Sequence, residues 1–449
     1  MKQGPGINRC AARRGRSVPR ARAGRWLLLC AAALPAACGG RGGDCVRAVS
    51  WADYRELALD EAIVDSFRVR HPEIPVCMES LEGSGIYREK VLTSIAAGTP
   101  PGVFLLDAID VPAFVDNGVV LDLAPYLGRL DVDTASYFPE ALEPFLRGDS
   151  LWAFPKDFTP MVIYYNKDAF DAAGVPYPQA GWTWSDFLDT ARRLTRDTDG
   201  DGAVDHWGFG WQRDFFYLQT WLWAGGGELL SPDARRATGY LDSPASVDAI
   251  RFYLDLVRTY KVAPRVEMFR RATGNISRMF VTGRVAMIQS GHWSGPTLLP
   301  HERAGRLRYG VAPMPVKAGV QPVTVLYASG WAVPRNADHR RWALELAAFL
   351  SSPIAQRVRA ASGLAIPSLP SIAKQVAAAD TSGRERVFLD AVPTGRQPWG
   401  TRVAPFREIQ DIMLDMLDRP LVRGEPVPEV AHDLAVRIDT LLARAREGH

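Results

Sequence analysis

Apolar and polar positions change period several times along the first hundred residues of the chain's body. "VRAVSW" (46–51) is a short apolar run with the length of a strand, Ala58–Val69 carries a helical period, and "IPVCMES" returns to a strand pattern. A second helical stretch across Tyr87–Ala97 leads into the apolar run "GVFLLD" (102–107). Strand, helix and strand in this rhythm predict an α/β domain with a largely parallel sheet. In such sheets ligands sit outside the carboxyl ends of the strands. Those ends carry Asp53, then Glu82 with the turn Gly83-Ser84-Gly85, then Asp107 with Asp110.

Further on, "LWAFPKDFTPMVIYYN" (151–166) reads as one strand, a Pro-interrupted polar break and a second strand, which suits a hinge between two lobes. A helical, tryptophan-rich region follows. In "ISRMFVTGRVAMIQSGHW" (276–293) a helical turn gives way to the compact apolar run Val285–Ile288, whose end delivers Gly291, His292 and Trp293. "VTVLYASGWAVP" (323–334) is a second candidate crossing between lobes. The helix "RRWALELAAFLSS", a Pro-containing turn at Ala365–Pro370 and a helical C-terminal region complete the chain.

A length of 449 residues, with 47% apolar and 23% charged content, is globular and sufficient for two or three domains. The formal charge of +3 misleads: eight cations precede residue 38 with no acid among them, and removing them takes +3 to −5. The body is therefore mildly acidic and offers no electrostatic case for nucleic acid. Those cations lead into Trp26–Ala37, an apolar run too short to span a bilayer and ending in small residues, as a secretory signal does; the plainer reading is a buried helix. "LPAAC" then resembles the lipobox of bacterial lipoproteins, with Cys38 as the lipidated N-terminus. Pro35 departs from the usual lipobox pattern. Of the five cysteines, Cys10 and Cys30 leave with the signal. Cys45 and Cys77 stand at similar places beside two strands joined by a helix, in an exported chain, and are expected to form a disulfide.

Motifs for nucleophile elbows, phosphate loops, dinucleotide binding, redox dithiols and zinc hydrolysis are absent from the sequence, and its seven histidines are scattered. A carboxylate pair assembled in space, as in a glycoside hydrolase, leaves no such signature. One cation motif stands out. In "DTDGDGAVDHWG", Asp197, Asp199, Asp201 with Gly202, and Asp205 match positions one, three, five, six and nine of a calcium loop, although position twelve is Gly208. It reads equally as a candidate structural calcium site or as an Asp-rich surface turn; no other cofactor is expected. Thirteen tryptophans occur, several beside Gly, Pro or a polar residue: Trp152, Trp211, Trp223, Trp293, Trp331 and Trp399. Each alone suits a core. Together they suggest flat platforms for pyranose rings, with Asp, Glu, Asn and Arg hydrogen-bonding the hydroxyls.

"AAGTPPGVFLLDA", "YYNKDAFDAAGVPYP", "GWTWSDFLDTARRLT" and "FVTGRVAMIQSGHW" resemble, in this order, the family-1 extracellular solute-binding proteins of bacterial ABC importers, which include maltose-binding protein. The resemblance implies an α/β fold of the periplasmic-binding-protein type II, two discontinuous lobes joined by a hinge, with the ligand cleft between them. The division expected is a signal at 1–37, a lipid-anchor linker at 38–45, one lobe from 46–158 with 330–370, and the other from 159–329 with 371–449. Residue by residue, Trp293 falls where the family's tryptophan stacks on a sugar, and Asp157 occupies the hinge break that often touches ligand. Asp107 and Asp110 follow a strand that ends at the cleft, although Asp110 equally suits a helix cap. Asp53, Glu82, Ser84, Phe216, Trp223, Trp331, Trp399 and Arg402 complete the expected ligand set. The expected function is capture of a carbohydrate, an oligosaccharide in particular, and its delivery to an ABC permease by a monomeric, exported, lipid-anchored protein without catalysis. Alternatives are a glycerol-phosphate or other polyol ligand, a secreted carbohydrate-active enzyme, and a structural lipoprotein.

Overall fold

The apolar runs that open the body become parallel strands. In the computed structural model, which describes residues 45–81, 84–264 and 276–447, with 84 and 85 described by their backbone alone, β1 (Val46–Ser50) lies between β2 (Val76–Ser80) and β3 (Val103–Asp107). The register pairs Arg47 with Cys77. That places Cys45 and Cys77 with Cα atoms 5.8 Å apart, and the two are joined as a disulfide. Between β1 and β2 the helix Tyr54–Arg70 starts at Asp53, whose carboxylate accepts from the amides of Arg55 and Glu56 at 2.8 and 3.0 Å. Such an N-cap satisfies donors that the helix cannot.

A short hairpin, β4 (Leu146–Arg147) with β5 (Ser150–Leu151), precedes β6 (Phe154–Pro160). After the single residue Met161 the chain enters β7 (Val162–Asn166), which belongs to a different sheet. The polar break in "PKDFT" is thus strand rather than loop: Asp157 and Thr159 sit in β6, paired with Ser329 and Tyr327. β8 (Trp207–Gly210), β9 (Val285–Ser290) and β10 (Tyr309–Ala312) complete the second sheet, in the order β10-β7-β9-β8. β11 (Thr324–Ala332) then returns to the first. With β12 (Ile366–Pro367) and β13 (Gly395–Arg396) that sheet has seven strands, ordered β12-β6-β11-β3-β1-β2 with β13 against the start of β11. All nine residues of β11 are buried. Residue 330 sits in mid-strand, since Leu326 to Trp331 already pair with β6.

The C-terminal helices Phe406–Asp418 and Val427–Glu447 pack on each other and on the helices Phe215–Ala224 and Pro244–Arg258, in the apolar cluster that covers one face of the second sheet. The result is two α/β lobes that exchange chain more than once, which is the type II arrangement. Among the described residues no helix is long and apolar enough to cross a membrane.

Candidate functional site

Five chain segments meet at one cavity of about 740 Å³ between the sheets. Trp51 follows β1, Asp107 closes β3, Trp293 follows β9, and the central strands β6 and β11 contribute Lys156, Asp157, Tyr327 and Ser329. This is the carboxyl-end placement expected of an α/β sheet. From the other side come Phe216 and Tyr217 on the helix Phe215–Ala224, and Arg407, Gln410 and Asp411 on the helix Phe406–Asp418.

The aromatic wall is built around Phe216. Its ring stacks on Tyr327 with centroids 3.9 Å apart and planes 16° from parallel, and lies 5.7 Å from Trp293. Trp293 is half-buried. Its indole folds back over Gly291, where an added Cβ would fall 2.1 Å from the ring, so only glycine permits this pose. His292 holds the turn in place. Its backbone amide donates to Thr159 Oγ1 at 2.9 Å, and its ring nitrogens meet the Gly363 carbonyl and Glu385 at 2.8 and 2.9 Å. The neighbouring strand end thus presents a flat apolar face to the cavity on a rigid support.

The polar wall is mostly acidic. Asp157 takes a bond from Ser329 Oγ at 2.6 Å and pairs with Lys156. Asp107 caps the turn Ala108–Asp110 and is reached by Arg407 at 3.4 Å. Burial pushes its carboxyl up to about 6, with Arg407 pulling it down and Asp110 adding to the rise. Burial likewise raises Glu56 to about 7, offset by Lys156. Tyr217 is pushed up to about 12 by burial, and Tyr327 rises well above its ordinary value for the same reason, so both phenols stay neutral. Tyr327 donates to the Phe216 carbonyl at 2.8 Å.

Of the residues expected from sequence, Asp107, Asp157, Phe216 and Trp293 meet in this cavity. The others are elsewhere. Asp53 is spent as a helix cap and does not line it. Asp110 makes no cap bond; buried, it anchors Arg407 at 2.9 and 2.8 Å and Arg88 at 3.2 Å behind the wall. Trp223, Trp331 and Trp399 are core residues, 2%, 0% and 4% exposed, each with a guanidinium over its ring. Arg402 is turned outward to the Pro232 carbonyl and the Trp399 ring. Glu82 lies outside the described residues, as does Cys38; Ser84 opens the helix Ser84–Ala96. Residues that sequence reasoning missed include Trp51, Glu56, Tyr217, Tyr327 and Arg407. One signal was available: Arg407, Gln410, Asp411 and Leu414 recur at helical spacing opposite the apolar Ile409 and Met413.

In the acidic loop, carboxylate oxygens of Asp197, Asp199 and Asp205 come within 4.8 Å of one another. Asp201 is not among them; it accepts from the Ala203 amide at 2.8 Å. Asp197 accepts from the amides of Gly200 and Gly202 at 2.7 and 2.8 Å, so the turn is tied by its own backbone. A hard cation would suit three converging carboxylates, but the ligand count is below the six or more oxygens calcium takes, unless carbonyls and water add to it.

Comparison with known proteins adds to this geometry. A binding protein of Brucella abortus is 25% identical over 260 residues, which are 57% of this chain and 59% of that relative's length. An sn-glycerol-3-phosphate-binding periplasmic protein of Rhizobium meliloti is 22% identical over 78% of this chain and 83% of its own. In structure, the ABC substrate-binding protein of Listeria monocytogenes in complex with cycloalternan superposes with a TM-score of 0.79, at 23% identity, over 88% of this chain and 98% of that one. The family model described as bacterial extracellular solute-binding protein matches residues 51–357, and with both sheets, the crossings between them and the cavity at the strand ends in place, the chain belongs to that family.

Proposed function

We propose that this protein captures a carbohydrate, an oligosaccharide in particular, in the cavity between its two lobes and delivers it to an ABC permease, binding without turnover. The observation that carries the reading is the Trp293–Phe216–Tyr327 platform facing a wall of carboxylates and phenols. Flat apolar faces suit the C–H side of a pyranose, and acceptor oxygens suit its hydroxyls. The lobe built on the first sheet, which holds β6 to Pro160 and β11 from Thr324, and the lobe built on the second sheet are proposed to close on the ligand, because both can touch it only when shut. Export with lipidation at Cys38 would keep the receptor beside its permease.

A polyol phosphate is the second reading, favoured by the Rhizobium meliloti relative that is named for sn-glycerol-3-phosphate. The cavity speaks against it, since its cations are already paired with carboxylates. A thermal-shift screen of the mature protein against neutral sugars, oligosaccharides and polyol phosphates decides. A ligand at a hundred times its Kd adds about 2.7 kcal/mol to stability. A shift with oligosaccharides supports the proposal; a shift with polyol phosphates alone, or with nothing in the panel, refutes it.

A further inference from the structure

The ring of His292 meets an oxygen acceptor at each nitrogen. Nδ1 stands 2.8 Å from the Gly363 carbonyl, and Nε2 stands 3.0 and 2.9 Å from the two carboxylate oxygens of Glu385. A carbonyl has no proton to give, and a neutral imidazole has only one. Without a second proton, a nitrogen lone pair would face a carboxylate at hydrogen-bond distance, in a ring only 4% exposed. The geometry therefore calls for an imidazolium.

His292 and Trp293 stand on opposite sides of one partition. Trp293, with Leu364 and Ala365, lines the ligand cavity; His292, with Gly295 and Gly363, lines a second cavity of about 550 Å³. The two turns touch, since a Cβ added to Gly295 would fall 2.1 Å from the Gly363 carbonyl oxygen. Through Glu385 the imidazolium ties that contact to the helix Arg384–Ala391, whose Phe388 ring packs 4.3 Å from its own. Glu385 lines the second cavity and is 20% exposed, so the pair can exchange a proton with solvent without unfolding.

The other titratable groups around the second cavity are neutral, engaged or at its rim. Tyr164 donates to the Gly291 carbonyl at 2.9 Å, and burial keeps Tyr164 and Tyr309 neutral, the latter pushed up to about 12. Arg384 pairs with Glu302, Asp380 accepts from the amides of Ser382 and Glu385, and Arg303 and Arg357 are exposed. Burial works against a charge on His292, but the bonds to Glu385 and Gly363 outweigh it and hold its titration above the ordinary 6.5.

We propose that His292 is a positioning residue for ligand capture, whose second proton locks the turn that presents Trp293 and so makes sugar affinity proton-dependent. The inference rests on the carbohydrate reading. The charge is present below about pH 6.5, is held above that by the pair, and is lost as pH rises through the raised value. Affinity should fall in the same direction, and by linkage a bound sugar holds the proton more tightly.

Nitrogen-15 NMR of the ligand-free mature protein reads the ring directly, with His292→Gln to assign it; both ring nitrogens should be protonated at pH 6. Calorimetric titration at pH 6 and pH 9, with maltotriose and with the oligosaccharide that shifts the thermal screen most, should show affinity falling at least about fivefold, the low end of usual coupling. Glu56 and Asp107 line the ligand cavity and titrate in or near this range, so the diagnostic variant is Glu385→Gln, which lies outside that cavity. Its amide can donate to a neutral imidazole and removes the need for the second proton, so its pH profile should be flatter than the wild type's. Circular dichroism checks folding; His292→Gln, with no titrating ring, carries the same expectation if Glu385→Gln does not fold. A ring nitrogen unprotonated at pH 6, or a variant profile as steep as the wild type's, overturns the proposal. If no sugar in the screen binds, the carbohydrate reading fails, and hydrogen-exchange protection of residues 291–294 decides the lock. Protection lost at pH 9 in the wild type but kept in Glu385→Gln supports it; equal loss in both overturns it.

Discussion

Arg407 grips Asp110 with two parallel bonds, Nε to Oδ1 at 2.9 Å and Nη2 to Oδ2 at 2.8 Å, and so ties the helix Phe406–Asp418 to the end of β3. Asp110 is 5% exposed, so its charge depends on that partner. Removing one member of a buried pair strands the other, at a cost of about 3–5 kcal/mol. Arg88 remains at 3.2 Å, which places Arg407→Met at the lower end of that range. Adding Asp110→Asn should restore part of the loss in a double-mutant cycle read by denaturant unfolding. A single-variant loss under about 0.5 kcal/mol would mean that solvent screens the pair.

Glu56 gives a pH prediction of opposite sign to the usual carboxylate. Its folded value of about 7 lies above its ordinary 4.5, so the native state holds the proton more tightly than the unfolded chain does. Its contribution is fully present below about pH 4.5 and is lost as pH rises through about 7. Glu56→Gln should therefore stabilise the ligand-free protein at pH 8 by on the order of 2–3 kcal/mol and change nothing near pH 4. Urea unfolding at the two pH values is the measurement. Destabilisation at pH 8 would show that the carboxylate has a partner after all.

What sequence made legible follows from which physical signals are local. The β1–β3 unit, the Cys45–Cys77 pairing and the Trp293 platform rest on short patterns: apolar runs, a helix between two strands, a glycine before an aromatic. The tryptophan inventory misled because Trp223, Trp331 and Trp399 also stand beside turns or glycine, yet the space around them is filled by packing and by Arg396, Arg359 and Arg402. Asp53 and Asp110 were placed near the right strand ends, but a carboxylate there can cap a helix or hold an arginine as readily as face a ligand. Arg407 reaches the cavity across a sequence separation of 297 from Asp110, and no local pattern encodes that partner.

For the acidic loop, we propose a structural calcium at Asp197, Asp199 and Asp205 against a plain turn. If a cation is held there, a chelator lowers the melting temperature, and Asp199→Ala abolishes that sensitivity. Asp199 is the informative choice because the bonds from Gly200, Gly202 and Thr198 go to its two neighbours in the cluster, while Asp199 itself accepts from the Asp201 amide at 3.2 Å. A wild-type melting curve indifferent to chelator favours the turn.

The proposed anchor makes a mass prediction. Membrane-fraction protein should begin at Cys38 and carry acyl chains, and Cys38→Ala should release it from the membrane, since lipid insertion supplies about 0.8 kcal/mol per buried methylene. Another mature start, or unmodified mass, refutes lipidation.

Trp293 and Trp331 provide the sharpest contrast, because one indole lines the cavity and the other is fully buried in β11. Trp293→Ala removes a half-exposed platform whose full covering by a sugar ring is worth on the order of 2–3 kcal/mol, so affinity should fall roughly 30- to 150-fold. Its effect on folding should be smaller than that of a core tryptophan, since part of the ring already faces the cavity. Trp331→Ala should instead cost about 3–5 kcal/mol of stability, the usual loss for a truncated core aromatic, and leave binding by the folded fraction nearly intact. Calorimetric titration with the screened sugar, paired with denaturant unfolding of both variants, reads the two quantities separately. If Trp293→Ala loses stability and keeps its affinity, the indole supports the strand end rather than the ligand, and the sugar must rest on Trp51, Phe216 or Tyr217, the cavity's remaining exposed ring faces.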